Sequence, residues 1–326
     1  MKKTYLSAIN EALCQEMERD DRVAVIGEDV GIYGGGAGAT KGLIERFGSR
    51  RVMDMPISET AFSGAAVGAA ILGMRVVTEI MFSDFMTLVS DPILNHAAKL
   101  PFMSAGQIRI PIVVMTPLGS GTGAAAQHSQ SPEAMFLNTP GIKVAAPSNA
   151  HDAKGILISA IRDDSPVIFF EHKLLYDEAC EVPDGEYTIP LGKAKTVRQG
   201  SDITIIGYSA MTGRCLEAAD MLEDIGISAE VIDLVSLRPL DTETIINSVN
   251  KTAAVLIVTE APKFGAFSAQ IASVIAENCF NRLKAPVSRL GGKEIPIAYN
   301  SYIERWEVPD AKHIMEKAEE IYHEKI

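Results

Sequence analysis

Short apolar runs that alternate with helical segments are the feature that most constrains the fold of the first half of the chain. The runs are rich in Val and Ile and do not alternate strictly with polar residues, which is typical of parallel strands covered on both faces. They lie at residues 23–29, 75–82, 111–117, 142–148 and 166–172. Helices are predicted for residues 61–72, 85–99 and 150–162. This alternation predicts an α/β layered sheet.

The texture of the sequence changes between residues 180 and 200, where Pro, Gly and charged residues replace the apolar runs. The strand and helix pattern then restarts, and Asp241 is a plausible N-cap of one of the later helices. We therefore predict two three-layer α/β domains, residues 1–185 and 200–326, joined by a linker at 186–199.

Charge and composition exclude several classes of protein. The net charge is −12 with no basic stripe, so a partner nucleic acid is not expected. The four cysteines are far apart in sequence, which disfavours a paired zinc site. No apolar run approaches the roughly 20 residues that span a bilayer, and the amino-terminal segment lacks the apolar core of a signal peptide. A cytoplasmic location without membrane attachment is the expectation.

A lone acid, Glu59, stands in front of a segment of small residues in the stretch DMPISETAFSGAAVGAAILG. Glu59 could support a helix N-terminus through the macrodipole, with Ser58 as the N-cap. Gly64 and Gly68 lower helix propensity, which is compensated only if another helix, another chain or a flat ligand approaches closely. From residue types alone, both interpretations of Glu59 stay open.

Three further segments carry candidate chemistry. His128 lies in a loop of small and polar residues, where it is either an ordinary loop histidine or an acid–base group. Phe82 and Phe85 are core residues or stack on a planar ligand. Residues 161–166 form a turn, or hold a hard cation through oxygen atoms.

The glycine-rich segment at residues 27–42 follows a strand and raises the question of a nucleotide site. Gly34, Gly36 and Ala39 satisfy G-x-G-x-x-A, but no helix is expected to open there directly after the strand. Lys41 is followed by Gly42, which excludes a P-loop. A loop over a site or an interface is the preferred interpretation.

Four ordered motifs resemble the beta subunit of the first component of thiamine-diphosphate-dependent 2-oxo acid dehydrogenases, a family that includes pyruvate, acetoin and branched-chain members. The motifs are MPISETAFSGAAVGAA, AAAQHSQ, PGIKVAAPSNAHDAKGILISAIRDDSPVIFFEHK and LRPLDTETI. The resemblance covers essentially the whole chain. It implies a pyrimidine-binding domain followed by a transketolase C-terminal-like domain.

The resemblance also implies roles for individual residues. In such enzymes a glutamate at the position of Glu59 contacts N1′ of the cofactor aminopyrimidine and stabilises the tautomer that removes the thiazolium proton. Glu28 and Phe85 would contact the cofactor, Tyr33 would lie near the entrance, and His128 would face the substrate. A potassium site, bound mostly through backbone carbonyls, would be formed by Ile112, Ala160, Ile161, Asp163 and Ser165.

The motifs that hold the cofactor's diphosphate in this family, G-D-G and a later Asn-Asn pair, are absent from the sequence. The resemblance therefore implies an alpha subunit that carries magnesium and the diphosphate, an α2β2 heterotetramer with paired beta chains, and a lipoyl-bearing acyltransferase core as partner. Pyruvate or acetoin would be converted to an acyl adduct that reductively acylates lipoyl. Alternatives are a branched-chain member, a stand-alone transketolase-like enzyme, a silent docking scaffold, and a nicotinamide dehydrogenase using the Gly34 region.

Overall fold

The computed structural model describes residues 1–325, which form two compact units. The first comprises Met1–Leu118 and Met135–Leu191, and the second comprises Gly119–Ala134 and the chain from Gly192 onward. The chain leaves the first unit for the last time between Leu191 and Gly192, inside the stretch 186–199 that the sequence predicts as a linker. The sequence pattern gave no sign that the segment 119–134 groups with the second unit.

The first unit contains eight strands and six α-helices among its described residues. The strands are β1 (Lys2–Thr4), β2 (Val23–Gly27), β3 (Val52–Asp54), β4 (Arg75–Glu79), β5 (Ile112–Leu118), β6 (Lys143–Ala145), β7 (Val167–His172) and β8 (Ala179–Glu181). The helices are α1 (Tyr5–Arg19), α2 (Leu43–Phe47), α3 (Glu59–Ile71), α4 (Leu100–Met103), α5 (Ala134–Leu137) and α6 (Ala150–Arg162).

Six strands of the first unit are parallel and lie in the order β6-β7-β5-β4-β2-β3. Every residue of β2, β5 and β7 is buried, as expected for strands with helices on both faces. The five strands predicted from the apolar runs are confirmed, with ends that differ by a few residues. Helices α3 and α6 confirm two of the three predicted helices.

The prediction of one continuous helix over residues 85–99 is wrong. The segment contains a 3₁₀ turn at Ser83–Thr87 and a π-helical stretch at Asp91–Ala97. Pro92 has no backbone N–H to donate to the carbonyl of Leu88, and its ring would crowd that carbonyl in an α-helix. The backbone therefore changes its hydrogen-bond spacing around the proline.

The second unit contains strands β9 (Lys195–Arg198), β10 (Ile203–Gly207), β11 (Ala229–Asp233), β12 (Ser236–Arg238), β13 (Val255–Pro262) and β14 (Ser288–Gly292). Its helices are α7 (Ala210–Asp224), α8 (Thr242–Thr252), α9 (Phe267–Cys279), α10 (Ser301–Glu307) and α11 (Ala311–His323). Five strands form a sheet in the order β14-β13-β10-β11-β9, in which only β9 is antiparallel to its neighbour.

Two helix starts test the capping predictions. Asp241 is confirmed as an N-cap, because its carboxylate accepts a hydrogen bond from the N–H of Thr244 at the start of α8. Ser58 does not cap α3 with its side chain, since its hydroxyl donates instead to the carbonyl of Pro56 at 2.9 Å. Within residues 1–325, no helix has the length and apolar character needed to cross a membrane.

Candidate cofactor site

Several acidic residues lie where parallel strands of the first unit end. Glu28 follows β2, Glu79 is the last residue of β4, and Glu171 is the penultimate residue of β7. The carboxyl ends of parallel strands share one edge of a sheet, which is the usual place for a ligand in α/β folds. Glu59, the first residue of α3, follows β3 by a short connection.

Glu59 is close enough to Glu28 for its negative charge to act on the Glu28 carboxyl group. The pKa of Glu28 is raised above its ordinary value by burial first, and then by the negative charges of Glu59 and Asp29. One oxygen of Glu28, Oε1, is buried and has no hydrogen-bond partner within residues 1–325. Glu59 is 8 % exposed and stands at a helix N-terminus, which favours a carboxylate there. The structure therefore brings together two acids, one of which has an unused acceptor for a ligand donor.

The glycine-rich loop after β2 is hydrogen-bonded to two carboxylates at the ends of neighbouring strands. Asp54 accepts a hydrogen bond from the N–H of Gly31 at 2.6 Å, and Glu79 accepts one from the N–H of Gly36 at 2.8 Å. Gly35 has φ +80°, and a Cβ on it would lie 2.3 Å from Glu79 Oε2, so the loop requires glycine at this position. The loop carries Tyr33, whose side chain is 73 % exposed.

Glu79 and Glu171 form a buried acidic pair that the sequence analysis did not identify. Burial raises the pKa of Glu79 to about 7. Burial raises the pKa of Glu171 well above its usual range, and the charge of Glu79 adds to the effect. The signal in the sequence is an acid at the end of each of two apolar strands, VVTE and VIFFE.

Phe85 lies in the 3₁₀ turn that follows β4, and it is half-buried. Its N–H donates to the carbonyl of Phe82 at 2.8 Å, and the ammonium group of Lys173 lies 5.2 Å from the centre of the Phe82 ring. Phe85 thus belongs to the same unit as Glu28, Tyr33 and Glu59, on a turn connected directly to the strand that ends in Glu79.

His128 belongs to the second unit, in the segment Gly119–Ala134. It is half-buried, and its N–H donates to the carbonyl of Ala125 at 3.2 Å. Ala125 has a positive φ of 61°, which makes the backbone turn sharply just before the histidine. The predicted catalytic and cofactor-binding residues are therefore divided between the units, with four in the first and His128 in the second.

The segment at the end of α6 that is predicted to bind potassium contacts two positively charged side chains. Nη1 of Arg75 donates to the carbonyls of Ile161 and Asp163, at 3.0 Å each. The carboxylate of Asp163 accepts a hydrogen bond from the N–H of Ser165 at 2.8 Å and pairs with Lys143. No pattern in the sequence predicts that Arg75 or Lys143 contacts this segment.

The other two predicted potassium ligands are Ala160, in the last turn of α6, and Ile112, which lies two residues after Ile110, whose N–H donates to the carbonyl of Asp164 at 3.2 Å. The carbonyl of Ala160 accepts the N–H of Asp163 at 3.3 Å, and Ile112 is the first residue of β5. Among residues 1–325, no group of three or more His, Cys, Asp or Glu side chains could hold a metal ion.

Comparison with known proteins identifies two domain families in order along the chain. The transketolase pyrimidine binding domain matches residues 1–178, and the transketolase C-terminal domain matches residues 192–314. The 2-oxoisovalerate dehydrogenase subunit beta of Bacillus subtilis is 48% identical over 294 residues, which is 90% of each chain. The pyruvate dehydrogenase E1 component subunit beta of Rickettsia felis is 42% identical over 321 residues, which is 98% of each chain.

The chain belongs to the beta subunits of 2-oxo acid dehydrogenase E1 components. This confirms the resemblance found in the sequence and the enzyme class that it implied, a thiamine-diphosphate-dependent oxidoreductase with an alpha subunit as partner.

Solved structures confirm the fold of this E1 beta chain. A split-gene transketolase, described as an inactive beta4 tetramer, matches with a TM-score of 0.81 at 21% identity over 99% of both chains. A transketolase from Pichia stipitis matches with a TM-score of 0.72 at 16% identity, covering 98% of this chain and 46% of the transketolase. The two-domain α/β fold predicted from the sequence is therefore confirmed.

Proposed function

We propose that this beta subunit, together with an alpha subunit, converts pyruvate or acetoin to an acyl group and transfers it reductively to lipoyl. The observation that supports this proposal most directly is the pair Glu28 and Glu59 at the strand ends of the first unit, with the unused acceptor oxygen of Glu28. Two acids at one edge are suited to binding and moving protons on a nitrogen-rich ring.

Glu59 is proposed as the residue that controls the proton on the cofactor's pyrimidine. Thiamine diphosphate, when bound, supplies the nucleophilic carbon that adds to the substrate carbonyl. The side chain of Glu59 is buried and stands at the first position of α3, so a ring nitrogen of the cofactor would meet an acid held by a rigid element. Glu28 would provide a second acceptor beside it.

Three other residues complete the proposed site. The half-buried Phe85 would pack on the flat pyrimidine, and the exposed Tyr33 would border the entrance. His128 would stabilise charge or transfer a proton on the substrate. These assignments stay proposals and rest on the match between the positions in this chain and the motifs of the family.

The alpha subunit is proposed to bind magnesium and the diphosphate, because this sequence lacks the motifs for both. An α2β2 heterotetramer and a lipoyl-bearing acyltransferase core follow from the same proposal. The exposed face of α3 favours beta–beta pairing, since a Cβ added at Gly64 or Gly68 would meet no atom within 4 Å. Its exposed residues are Thr60, Ala61, Gly64, Ala65, Gly68 and Ile71.

A potassium ion is proposed at residues 160–165, the end of α6 and the turn after it, together with Ile112. The donor set is made of oxygen atoms, which suits a hard monovalent cation. Arg75 and Lys143 place two positive charges on the same segment, so the ion is expected to bind weakly. The cation would share the carbonyls of Ile161 and Asp163 with the Arg75 guanidinium.

The branched-chain alternative is favoured by one specific observation, the 48% identity to a 2-oxoisovalerate dehydrogenase subunit beta. Pyruvate dehydrogenase subunits at 42% to 46% identity favour the main proposal. Comparing pyruvate, acetoin and 2-oxoisovalerate as substrates of the reconstituted enzyme separates these possibilities. A cytoplasmic location stays a prediction from the sequence.

Calorimetric titration with thiamine diphosphate and magnesium tests the proposal. The chain is titrated alone and then mixed with its candidate alpha partner. Binding only to the mixture supports a shared site, and the substrate comparison is then done on the complex. Tight binding to the chain alone would contradict the shared site and favour a stand-alone transketolase-like enzyme. No binding to either sample would favour a silent docking scaffold.

A further inference from the structure

The segment that carries His128 begins with the glycine-rich sequence GSGTG, which is held by two acidic side chains of the second unit. Glu260 accepts a hydrogen bond from the N–H of Ser120 at 2.6 Å. Glu304 accepts one from the N–H of Gly121 at 2.6 Å through Oε1 and one from the N–H of Gly123 at 3.0 Å through Oε2. Hydrogen bonds from backbone N–H groups to a carboxylate are among the stronger ones in proteins.

The two acids stand on regular elements of the second unit. Glu260 lies near the end of β13, and Glu304 lies in α10 with only 1 % of its surface exposed. Gly121 and Gly123 have φ values of +101° and +70°, which residues with a side chain rarely adopt. This backbone conformation directs two N–H groups towards one carboxylate, so glycine is needed at both positions for Glu304 to be bound in this way.

Hydrogen bonds also hold the segment on the carboxyl-terminal side of His128. The hydroxyl of Tyr208 donates to the carboxyl group of Glu133, and both side chains are buried. The N–H of Gly119 donates to the carbonyl of Gln130 at 3.3 Å, which closes the loop on itself. His128 therefore lies between two anchors, and the Glu304 anchor is five residues before it.

We propose that Glu304 is a positioning residue for His128, acting through the backbone of Gly121 and Gly123. This inference rests on the proposed role of His128 at the substrate. Loss of one acceptor oxygen would release the 121–123 backbone, let the loop sample other conformations and reduce the fraction of molecules in which the imidazole is placed for proton transfer. Because Glu304 itself need not contact the substrate, its removal is expected to lower kcat more than it raises KM.

Glu304→Gln in the reconstituted enzyme tests the inference with little change in side-chain volume. The amide nitrogen of glutamine cannot accept from an N–H group, so the 3.0 Å hydrogen bond from Gly123 to Oε2 is lost and that N–H keeps only the longer contact of 3.3 Å to Oε1. Glu307→Gln is the matched control: Glu307 is in the same helix, is also buried, and accepts a hydrogen bond from the N–H of Ala298 at 2.9 Å. Amide hydrogen exchange of residues 119–134 and steady-state kinetics are measured on both variants, on His128→Ala, and on the double variant of Glu304 and His128.

For Glu304→Gln we expect exchange of residues 119–134 to accelerate by about tenfold or more, with kcat reduced by about tenfold. In the His128→Ala background, the Glu304 substitution should lower kcat little further, because both changes act through the same imidazole. The control should leave exchange of 119–134 and kcat unchanged.

Unchanged exchange in Glu304→Gln, or effects on kcat that simply multiply in the double variant, would overturn the positioning role while leaving the proposed function standing. If His128→Ala retains full turnover, the proposed role of His128 fails, and with it the inference that Glu304 positions this residue for catalysis. The exchange data would then still report whether Glu304 anchors the loop. The two failures are thus distinguishable.

Discussion

The carboxyl group of Glu79 accepts a hydrogen bond from the N–H of Gly36, with 2.8 Å between the two heavy atoms. This contact joins the end of β4 to the glycine-rich loop, and Glu79 is only 2 % exposed. Burial raises the pKa of Glu79 to about 7, so the group changes protonation near neutral pH. Glu171, whose pKa is also raised, faces the same buried region.

Substitution Glu79→Gln should flatten the pH dependence of stability. The pKa of Glu79 is about 7 in the folded chain and 4.5 by default, so the folded state retains a proton that the unfolded state releases between these values. Stability of the natural chain therefore falls as pH rises from about 4.5 to 7 and levels off above 7. The Glu79 share of that fall is on the order of 3 kcal/mol, from 1.36 kcal/mol per pKa unit.

Urea unfolding at pH 5, 6, 7 and 8 measures this effect for the natural chain and the variant. The free energy of unfolding of Glu79→Gln minus that of the natural chain should increase as pH rises. Glu181→Gln, which changes an exposed acid of β8, is the control and should follow the natural chain. Parallel curves for the natural chain and Glu79→Gln would show that Glu79 titrates normally.

Substitution Glu59→Gln should leave the fold intact and slow the reconstituted enzyme by about two to three orders of magnitude, because a neutral amide no longer controls the proton on the pyrimidine. Circular dichroism checks the fold, and turnover with the alpha subunit checks the chemistry. Glu45→Gln, an exposed acid in α2, should keep full turnover. Near-normal turnover in Glu59→Gln would refute the role given to this residue.

Local patterns were sufficient to predict the fold and part of the candidate site. Runs of Val and Ile such as 23–29 mark buried parallel strands, because their apolar character does not depend on distant partners. Glu59 was visible because a lone acid stood beside residues with almost no side-chain volume. The apolar pattern of residues 85–99 continues through Pro92 and so predicts one helix, whereas the missing N–H of the proline interrupts the α-helical hydrogen bonds.

Other features depend on contacts between residues far apart in the chain. Arg75 reaches the carbonyl of Ile161, 86 residues away, and Glu304 reaches the N–H of Gly121, 183 residues away. No pattern within a short window shows which side chain will reach a backbone group at such a distance. For the same reason, the grouping of residues 119–134 with the second unit had no signal in the sequence.

If residues 160–165 bind potassium, the ion should raise the thermal stability of the chain. Replacing potassium chloride by choline chloride at equal ionic strength removes the ion without changing screening. At an ion concentration about ten times the dissociation constant, the loss is about 1.4 kcal/mol, or a few degrees in Tm. An identical Tm in both salts would contradict the potassium site and mean that the hydrogen bonds from Arg75 to the carbonyls and the ion pair of Lys143 with Asp163 suffice without the ion.

Substitution Gly68→Leu on the exposed face of α3 should prevent assembly without destabilising the isolated chain. A Cβ at Gly68 meets nothing within 4 Å, and leucine has a higher helix propensity than glycine, so the fold should gain up to about 1 kcal/mol. A bulky side chain on that face would keep a second beta chain from approaching closely. Gly213→Leu is the matched control, because Gly213 is an exposed glycine of α7 that also has open space around its Cβ. Sedimentation of each variant with the alpha subunit should show a heterotetramer for Gly213→Leu and a smaller species for Gly68→Leu; a heterotetramer in both would remove α3 from the proposed beta–beta contact.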